Sequence, residues 1–236
     1  MHIGCAFRNF PQVWLTCPTR VVNGMARRMT LHLFRQAIAV ASNWDCDQNL
    51  SFNLSGSGLA SAGFEVTLPE IMADAGFDPE RLILEVTETA LLDDLAASWT
   101  VLDQLRAKGA SVVLDDFGAG HASIGYLKDL QLDGIKLDGA LIKDIVHDGR
   151  SRRLLQGILQ LCRSIGVTVT AEMVESDRQL EALQAFQVDF VQGYLLGKPC
   201  DADVTLACRD YAATKRCAGP AAPVIALDPP RRLAVG

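Results

Sequence analysis

The sequence predicts an α/β fold built on a parallel sheet, and three observations carry that prediction. Six short apolar segments alternate with segments of helical periodicity, the pattern of parallel strands joined by crossover helices. Several of the apolar segments, such as LIL (82–84), VVL (112–114) and VTVTA (167–171), are nearly continuous, as strands covered on both faces are. Each of the six also carries a polar side chain near its C-terminal end. An open doubly wound sheet and a (β/α) barrel both satisfy the alternation.

Residues 1–24 stay unassigned: QVWLTC (12–17) is short enough for a strand, but Pro11 and Pro18 flank it and no period runs through. From Thr30 to Trp44 a helix is expected, with Leu31, Phe34, Ala37, Ile38 and Ala41 on one face. A strand at 49–56 and a helix at 67–76 follow, the helix stopped by Gly76. RLILEVTE (81–88) is a strand. LAASWTVLDQLRAKG (95–109) is a helix with a Leu95, Trp99, Leu102, Leu105 stripe, closed by Gly109. Then come strand SVVLDD (111–116), short helix HASIGYLKDL (121–130), strand DGIKLD (133–138) and helix RSRRLLQGILQLCRSIG (150–166). Strand VTVTAE (167–172), helix DRQLEALQAFQ (177–187), strand VDFVQGYLLG (188–197) and a last helix at 201–215 complete the alternation. The domain is expected over 25–213. Residues 214–236 form a tail rich in Pro and Ala from Ala218 onward, which reads as a flexible extension.

The 236 residues are 49% hydrophobic, enough for a sizeable core. Twenty-two basic against 28 acidic residues leave a net charge of -6, which argues against a nucleic-acid polymer as partner. The seven cysteines are odd in number and form no CxxC pair, so reduced thiols and a cytoplasmic location are expected. The four histidines lie far apart and read as structural. No apolar run approaches the roughly 20 residues of a membrane span, and the N-terminus has no secretory pattern.

The strand-end polar residues are Asn53, Glu85 and Glu88, Asp115 and Asp116, Lys136 and Asp138, Glu172 and Glu175, and Gln192. One acid at a strand end is usually a helix cap or a solvated turn residue. Six strand ends in succession are harder to assign that way, because in a parallel barrel these ends meet on one face. An oxygen-only donor set without Cys or His suits hard cations, Mg²⁺ or Mn²⁺. Two such ions about 3.5–4 Å apart clamp a phosphodiester and activate water. They would also offset the repulsion between the neighbours Asp115 and Asp116. Lys136 would then hold a hydroxide or phosphate oxygen, and Glu172 would take the proton of the water. The turn at Gly118–Gly120 would be a mobile loop beside them.

FNLS, EVTE, LDDFGAGHASIGYL, IKLD, AEMVE and QGYLLGKP stand in the order and approximate spacing of the EAL domain family. Over about residues 25–205 the chain resembles these cyclic-di-GMP phosphodiesterases, which linearise cyclic di-GMP to pGpG with Mg²⁺ or Mn²⁺ on a TIM-like (β/α) barrel. The resemblance implies Asn53, Glu85 and Asp115 as metal ligands, with Asp116 at a second ion. It implies Glu172 as general base and Lys136 on a metal-bound water or phosphate. Glu88, Asp138, Glu175 and Gln192 would support the substrate and the loop at 117–123.

The chain departs from that family at its N-terminal side. The first two strands, including the one that bears the Glu-Ala-Leu motif, are not recognisable, and residues 1–24 contain no acidic residue. Six of eight strands remain, and the open barrel edge calls for cover by residues 1–24, a homodimer or another chain. Loss of that motif's glutamate predicts an impaired or inactive phosphodiesterase; the alternative is an active enzyme completed by its remaining ligands. A glycosidase using Glu85 and Asp115 is disfavoured because no aromatic residues line the site. The string EAL at 181–183 reads as an ordinary helix face. Met173 replaces the family's Gly beside the proposed base, and Gly139-Ala140 follow KLD.

Overall fold

Alternation along each strand decides what the sheet shows to either side. The structure is a computed structural model that describes residues 2–4, 11–12, 15–16, 25–44, 49–54, 59, 63–92, 95–119, 127–128, 130–197 and 222–226. Six parallel strands form its centre: β4 (Leu50–Leu54), β5 (Leu82–Thr87), β6 (Ser111–Phe117), β7 (Gly134–Leu137), β8 (Thr168–Ala171) and β9 (Phe190–Gln192). Each pairs with the next in sequence order, the topology of a (β/α) barrel wall rather than of a doubly wound sheet.

One face of this wall is apolar. Phe52, Leu84, Leu114, Ile135, Val169 and Val191 are all buried there, one from each strand. Helix α1 (Met25–Ala41) covers part of it with the expected stripe, and Leu31, Phe34, Ala37, Ile38 and Ala41 are all buried. The Phe34 ring meets Phe52 edge to face, with centroids 5.0 Å apart and planes at 84°. Helix α2 (Phe64–Asp74) follows β4 and buries Phe64, Leu68, Ile71 and Met72. Helices α3 (Glu88–Leu92) and α4 (Leu95–Arg106) follow β5, and α4 buries Leu102 and Leu105. After β7 come the single turn α5 (Gly139–Ile142) and α6 (Gly149–Ser164), which buries Leu155, Leu159 and Cys162. Between β8 and β9 runs α7 (Asp177–Ala185), started by a capping box between Ser176 and Gln179.

The opposite face is the barrel interior, and it carries the polar side chains of the strands. Parity and register place Ser51, Asn53, Glu85, Thr87, Asp115, Lys136, Thr170 and Gln192 on it.

A repeated device holds the N-terminal ends of the strands. Asp133, just before β7, accepts the Val112 N–H at 2.8 Å, and Asp189, just before β9, accepts the Val169 N–H at 2.8 Å. Each carboxylate thus ties its own strand to the preceding neighbour. Asp133 also takes a two-pronged contact from Arg106, with Nε and one terminal nitrogen each at 3.0 Å, which locks the end of α4 to the sheet.

The parallel wall is extended at both edges by antiparallel strands. β1 (His2–Gly4) pairs with β4 and with β3 (Leu15–Thr16). β10 (Ala222–Ala226) pairs with β9 and with β2 (Pro11–Gln12). The previously unassigned N-terminal segment therefore supplies edge strands, and one strand lies inside the expected flexible tail. No pairing among the described residues joins β2 to β3. The wall is six parallel strands of an incomplete (β/α) barrel, as expected.

The expected strand at 188–197 is cut short after Gln192. Gly193 accepts from the Leu196 and Gly197 N–H groups at 3.0 and 3.2 Å, turning the chain. A Cβ on Gly193 would lie 2.2 Å from both Val174 N and O, so only glycine allows this close approach. The expected helices at 121–130 and 201–215 lie largely or wholly outside the described residues. No described helix is long and apolar enough to cross a membrane.

Candidate functional site

Lys136 is the centre of the interior face. Its side chain, only 3% exposed, rises from the middle of β7 among three carboxylates from β5, β6 and the end of β8. Its ammonium lies 3.1 Å from Glu85 Oε2, 3.1 Å from Asp115 Oδ1 and 2.7 Å from Glu172 Oε1. A lysine this deeply buried is tolerated because it is paired on several sides. Burial pulls its pKa down, but Glu85, Glu172 and Asp115 outweigh that and hold it well above the usual lysine range. Ser51 on β4 donates its hydroxyl to Glu85 Oε1, so each oxygen of Glu85 has a donor.

A second constellation shares two of these groups. Asp115, Asp116 and Glu172 each bring an oxygen within 4.8 Å of the other two. In a regular strand Asp115 and Asp116 would point to opposite faces. Asp116 instead adopts a left-handed backbone with φ of 57°. The β6–β7 register shifts between Leu114 and Phe117, and this bulge turns both carboxylates toward one place. Asp115 Oδ1 also accepts the Asp116 N–H at 3.1 Å.

Burial pushes the Glu172 carboxyl up to about 7, aided by Asp115 and opposed by Lys136. Burial raises Glu85 in the same way, against the pull of Lys136. A carboxyl near neutrality exchanges protons readily at physiological pH.

The fold thus brings together Glu85, Asp115, Asp116, Lys136 and Glu172 of the residues singled out in the sequence. Asn53 is registered beside Glu85 on the neighbouring strand. Glu88, 5% exposed at the start of α3, has an Oε1 with no hydrogen-bond partner among the described residues, and so has Gln192, 7% exposed at the end of β9. Asp138 caps α5 by accepting the Ala140 N–H at 2.8 Å. Glu175 is exposed, and its backbone N–H is held by Gln179 Oε1 at 3.0 Å. The string EAL lies on α7, where Leu183 is buried and Glu181 exposed, an ordinary helix face. Sequence reasoning overlooked Ser51, although it stands two residues before Asn53 and therefore on the same face.

Met173 adjoins Glu172 in a left-handed conformation with φ of 52°, and its side chain is 62% exposed. It fills the space that a side chain at residue 139 would occupy: a Cβ on Gly139 would sit 2.3 Å from the Met173 sulfur.

Comparison with known proteins now decides the family, because the EAL domain profile matches residues 17–199. The chain belongs to the EAL domain family. This EAL domain is 36% identical over 161 residues to the bifunctional diguanylate cyclase/cyclic di-GMP phosphodiesterase MucR of Pseudomonas aeruginosa, covering 68% of this chain and 24% of that protein. It is 33% identical over 153 residues to the cyclic di-GMP phosphodiesterase PdeB of Shewanella oneidensis, covering 65% of this chain and 18% of that protein. The chain therefore spans about a quarter or less of the length of these curated relatives.

Among solved structures, the MucR phosphodiesterase in complex with c-di-GMP superposes with a TM-score of 0.72 at 26% identity, covering 86% of this chain and 92% of that one. The EAL domain of Mycobacterium smegmatis DcpA gives 0.75 at 25% identity, covering 87% and 94%. A manganese and cyclic di-GMP complex of Klebsiella pneumoniae BlrP1 gives 0.76 at 26% identity, covering 85% and 56%. The EAL family implies a divalent cation. The oxygen-only trio of Asp115, Asp116 and Glu172 fits one, since hard cations take carboxylate oxygens at close quarters.

Proposed function

We propose that this EAL domain binds cyclic di-GMP in the cytoplasm and that its own hydrolysis of the dinucleotide to pGpG is impaired. The observation that carries the reading is Lys136 held between Glu85, Asp115 and Glu172 beside the Asp116 carboxylate. That arrangement suits a phosphodiester, with carboxylates for a cation and a fixed ammonium for a phosphate oxygen. When bound, Mg²⁺ or Mn²⁺ supplies Lewis acidity and lowers the pKa of water.

The residues of the chain supply the rest. Asp115 and Asp116 would hold the cation, and Lys136 would orient a phosphate oxygen. Glu172, within 4.8 Å of the same two carboxylates, would accept the proton of the attacking water. One P–O bond to the attacking oxygen forms as one P–O bond to a ribose oxygen breaks. That ribose oxygen leaves as a hydroxyl after taking a proton from a solvent water. Asn53, beside Glu85 on the neighbouring strand, would be a further ligand of the cation, and Glu88, Asp138, Glu175 and Gln192 would support the substrate and the neighbouring loops. The impairment rests on two features: residues 1–24 offer no further carboxylate, and Glu85 is committed to Ser51 and Lys136. A second copy of the chain, or another chain, would cover the open side of the barrel.

The test is calorimetry with cyclic di-GMP, with and without Mn²⁺, beside an assay for pGpG. The expected result is metal-dependent binding with turnover roughly a hundredfold or more below that of the MucR phosphodiesterase domain assayed alongside. The assembled cluster also favours a second reading, a fully active phosphodiesterase. Turnover equal to that relative and abolished in Glu172→Ala would establish the second reading. Absence of binding in any metal would refute both.

A further inference from the structure

We propose that His2 brings a nitrogen ligand to the cation of this site, at the place left by the missing Glu-Ala-Leu strand. The inference rests on the proposed function and adds a ligand from the N-terminal segment.

Strand order fixes the place. The parallel strands pair in sequence order from β4 to β9, so a strand missing just ahead of β4 would have lain against β4 on the side away from β5. β1 occupies that side, antiparallel to β4. The N-terminal segment thus returns a strand to the vacated position, with different residues on it.

Register decides which residue counts. Ile3 pairs with Phe52 and Gly4 with Ser51, and the same antiparallel register sets His2 opposite Asn53. His2 also pairs with Thr16 on β3, and Asn53 pairs with Glu85 on β5. Thr16, His2, Asn53 and Glu85 therefore stand in one row across four strands, at the end of the wall where the carboxylates meet. Residues directly opposed in an antiparallel pair carry Cβ atoms about 4.5–5.5 Å apart, a spacing at which two side chains can share one ion.

The chemistry of the row singles out His2. Residues 1–24 hold no carboxylate, and of the two positions they add to the row, imidazole is a far better metal ligand than the threonine hydroxyl. An imidazole restores a ligand without restoring the negative charge of a glutamate. That combination holds a cation and its dinucleotide while leaving the charge of the site altered, in keeping with binding and weak hydrolysis. Mg²⁺ keeps to oxygen and water ligands, so the nitrogen biases the site toward Mn²⁺.

The test strips the full chain with chelator, loads it with Mn²⁺ and reads nitrogen modulation of the Mn²⁺ electron spin echo, beside calorimetry of Mn²⁺ binding. Wild type is expected to show the modulation of a directly bound imidazole nitrogen. His2→Ala is expected to lose it and to bind Mn²⁺ roughly tenfold or more weakly; His2→Gln shows the same loss should the alanine variant not fold. His147→Ala, which removes an exposed histidine, keeps the modulation. His2→Glu binds Mn²⁺ more tightly than His2→Ala, without modulation. Mn²⁺ bound to wild type without modulation, or modulation that survives in His2→Ala or His2→Gln, overturns the inference and leaves cyclic di-GMP binding untouched. No Mn²⁺ in wild type, together with no cyclic di-GMP binding, overturns the proposed function as well.

Discussion

The Lys136 ammonium lies 2.7 Å from Glu172 Oε1, the shortest of its three carboxylate contacts. This contact pairs a buried cation with the carboxyl that burial has pushed up to about 7. The attraction of Lys136 only partly offsets the cost of ionising Glu172 so deep in the barrel.

The first concerns pH. Glu172 has its folded pKa raised above the ordinary value of 4.5 to about 7, so folding favours its protonated form. The stability it contributes is full below pH 4.5 and is lost as pH rises through 7. At about 1.4 kcal/mol per pKa unit, the metal-free chain loses about 2–3 kcal/mol across that window. Urea denaturation in chelator from pH 5 to 8 checks this, and a flat or rising profile contradicts it. Mn²⁺ removes the slope, because a bound cation favours the ionised carboxylate.

Removing partners from the lysine cluster is the second. Lys136→Met leaves Glu85, Asp115 and Glu172 uncompensated and costs about 3–5 kcal/mol without metal. Ser51→Ala strips one donor from Glu85 and costs about 1–3 kcal/mol. Chemical denaturation with and without Mn²⁺ separates the two. The lysine variant recovers stability with metal, which supplies the missing positive charge; the serine variant recovers less, because its ammonium still pairs with the three carboxylates.

Met173 and Gly139 form a complementary pair, and the third prediction is a double-mutant cycle. Gly139→Ala forces its new Cβ toward the Met173 sulfur, 2.3 Å away, at a cost of about 1–3 kcal/mol. Met173→Gly relieves the left-handed backbone at residue 173 and is neutral or stabilising by about 1 kcal/mol. Combined, the two changes recover most of the alanine penalty. Additive thermal-unfolding shifts would count against the contact.

The fourth lies at the other end of the strands. Asp133→Ala removes the acceptor of the Val112 N–H and the partner of Arg106, for about 2–4 kcal/mol. Asp189→Ala removes only the acceptor of the Val169 N–H and costs about 1–3 kcal/mol. Hydrogen exchange at Val112 and Val169 reads each loss locally. Equal losses in the two variants would show that the Arg106 contact adds nothing.

Most of the wall was legible beforehand because its signals are local. The stripe from Leu31 to Ala41, the runs in β5, β6 and β8, and the stop at Gly76 each lie within a dozen residues or so. The strand expected at 188–197 failed after Gln192 for a non-local reason: Gly193 must fit against the Val174 backbone, a contact set by the end of β8. The pairing of residues 2–4 with β4, and of 222–226 with β9, has the same character.

The sequence by itself determined the residue types of the site and their positions at strand ends. The fold class, the oxygen-only chemistry and the family resemblance all follow from that ordering, because strand order and polar ends are written along one dimension. Tertiary structure alone decided who meets whom. It placed Lys136 among three carboxylates, gave Ser51 to Glu85, and turned the neighbours Asp115 and Asp116 to one side through a bulge. Pairing across strands depends on register and on backbone angles at single residues, and neither is encoded in the alternation that made the strands readable.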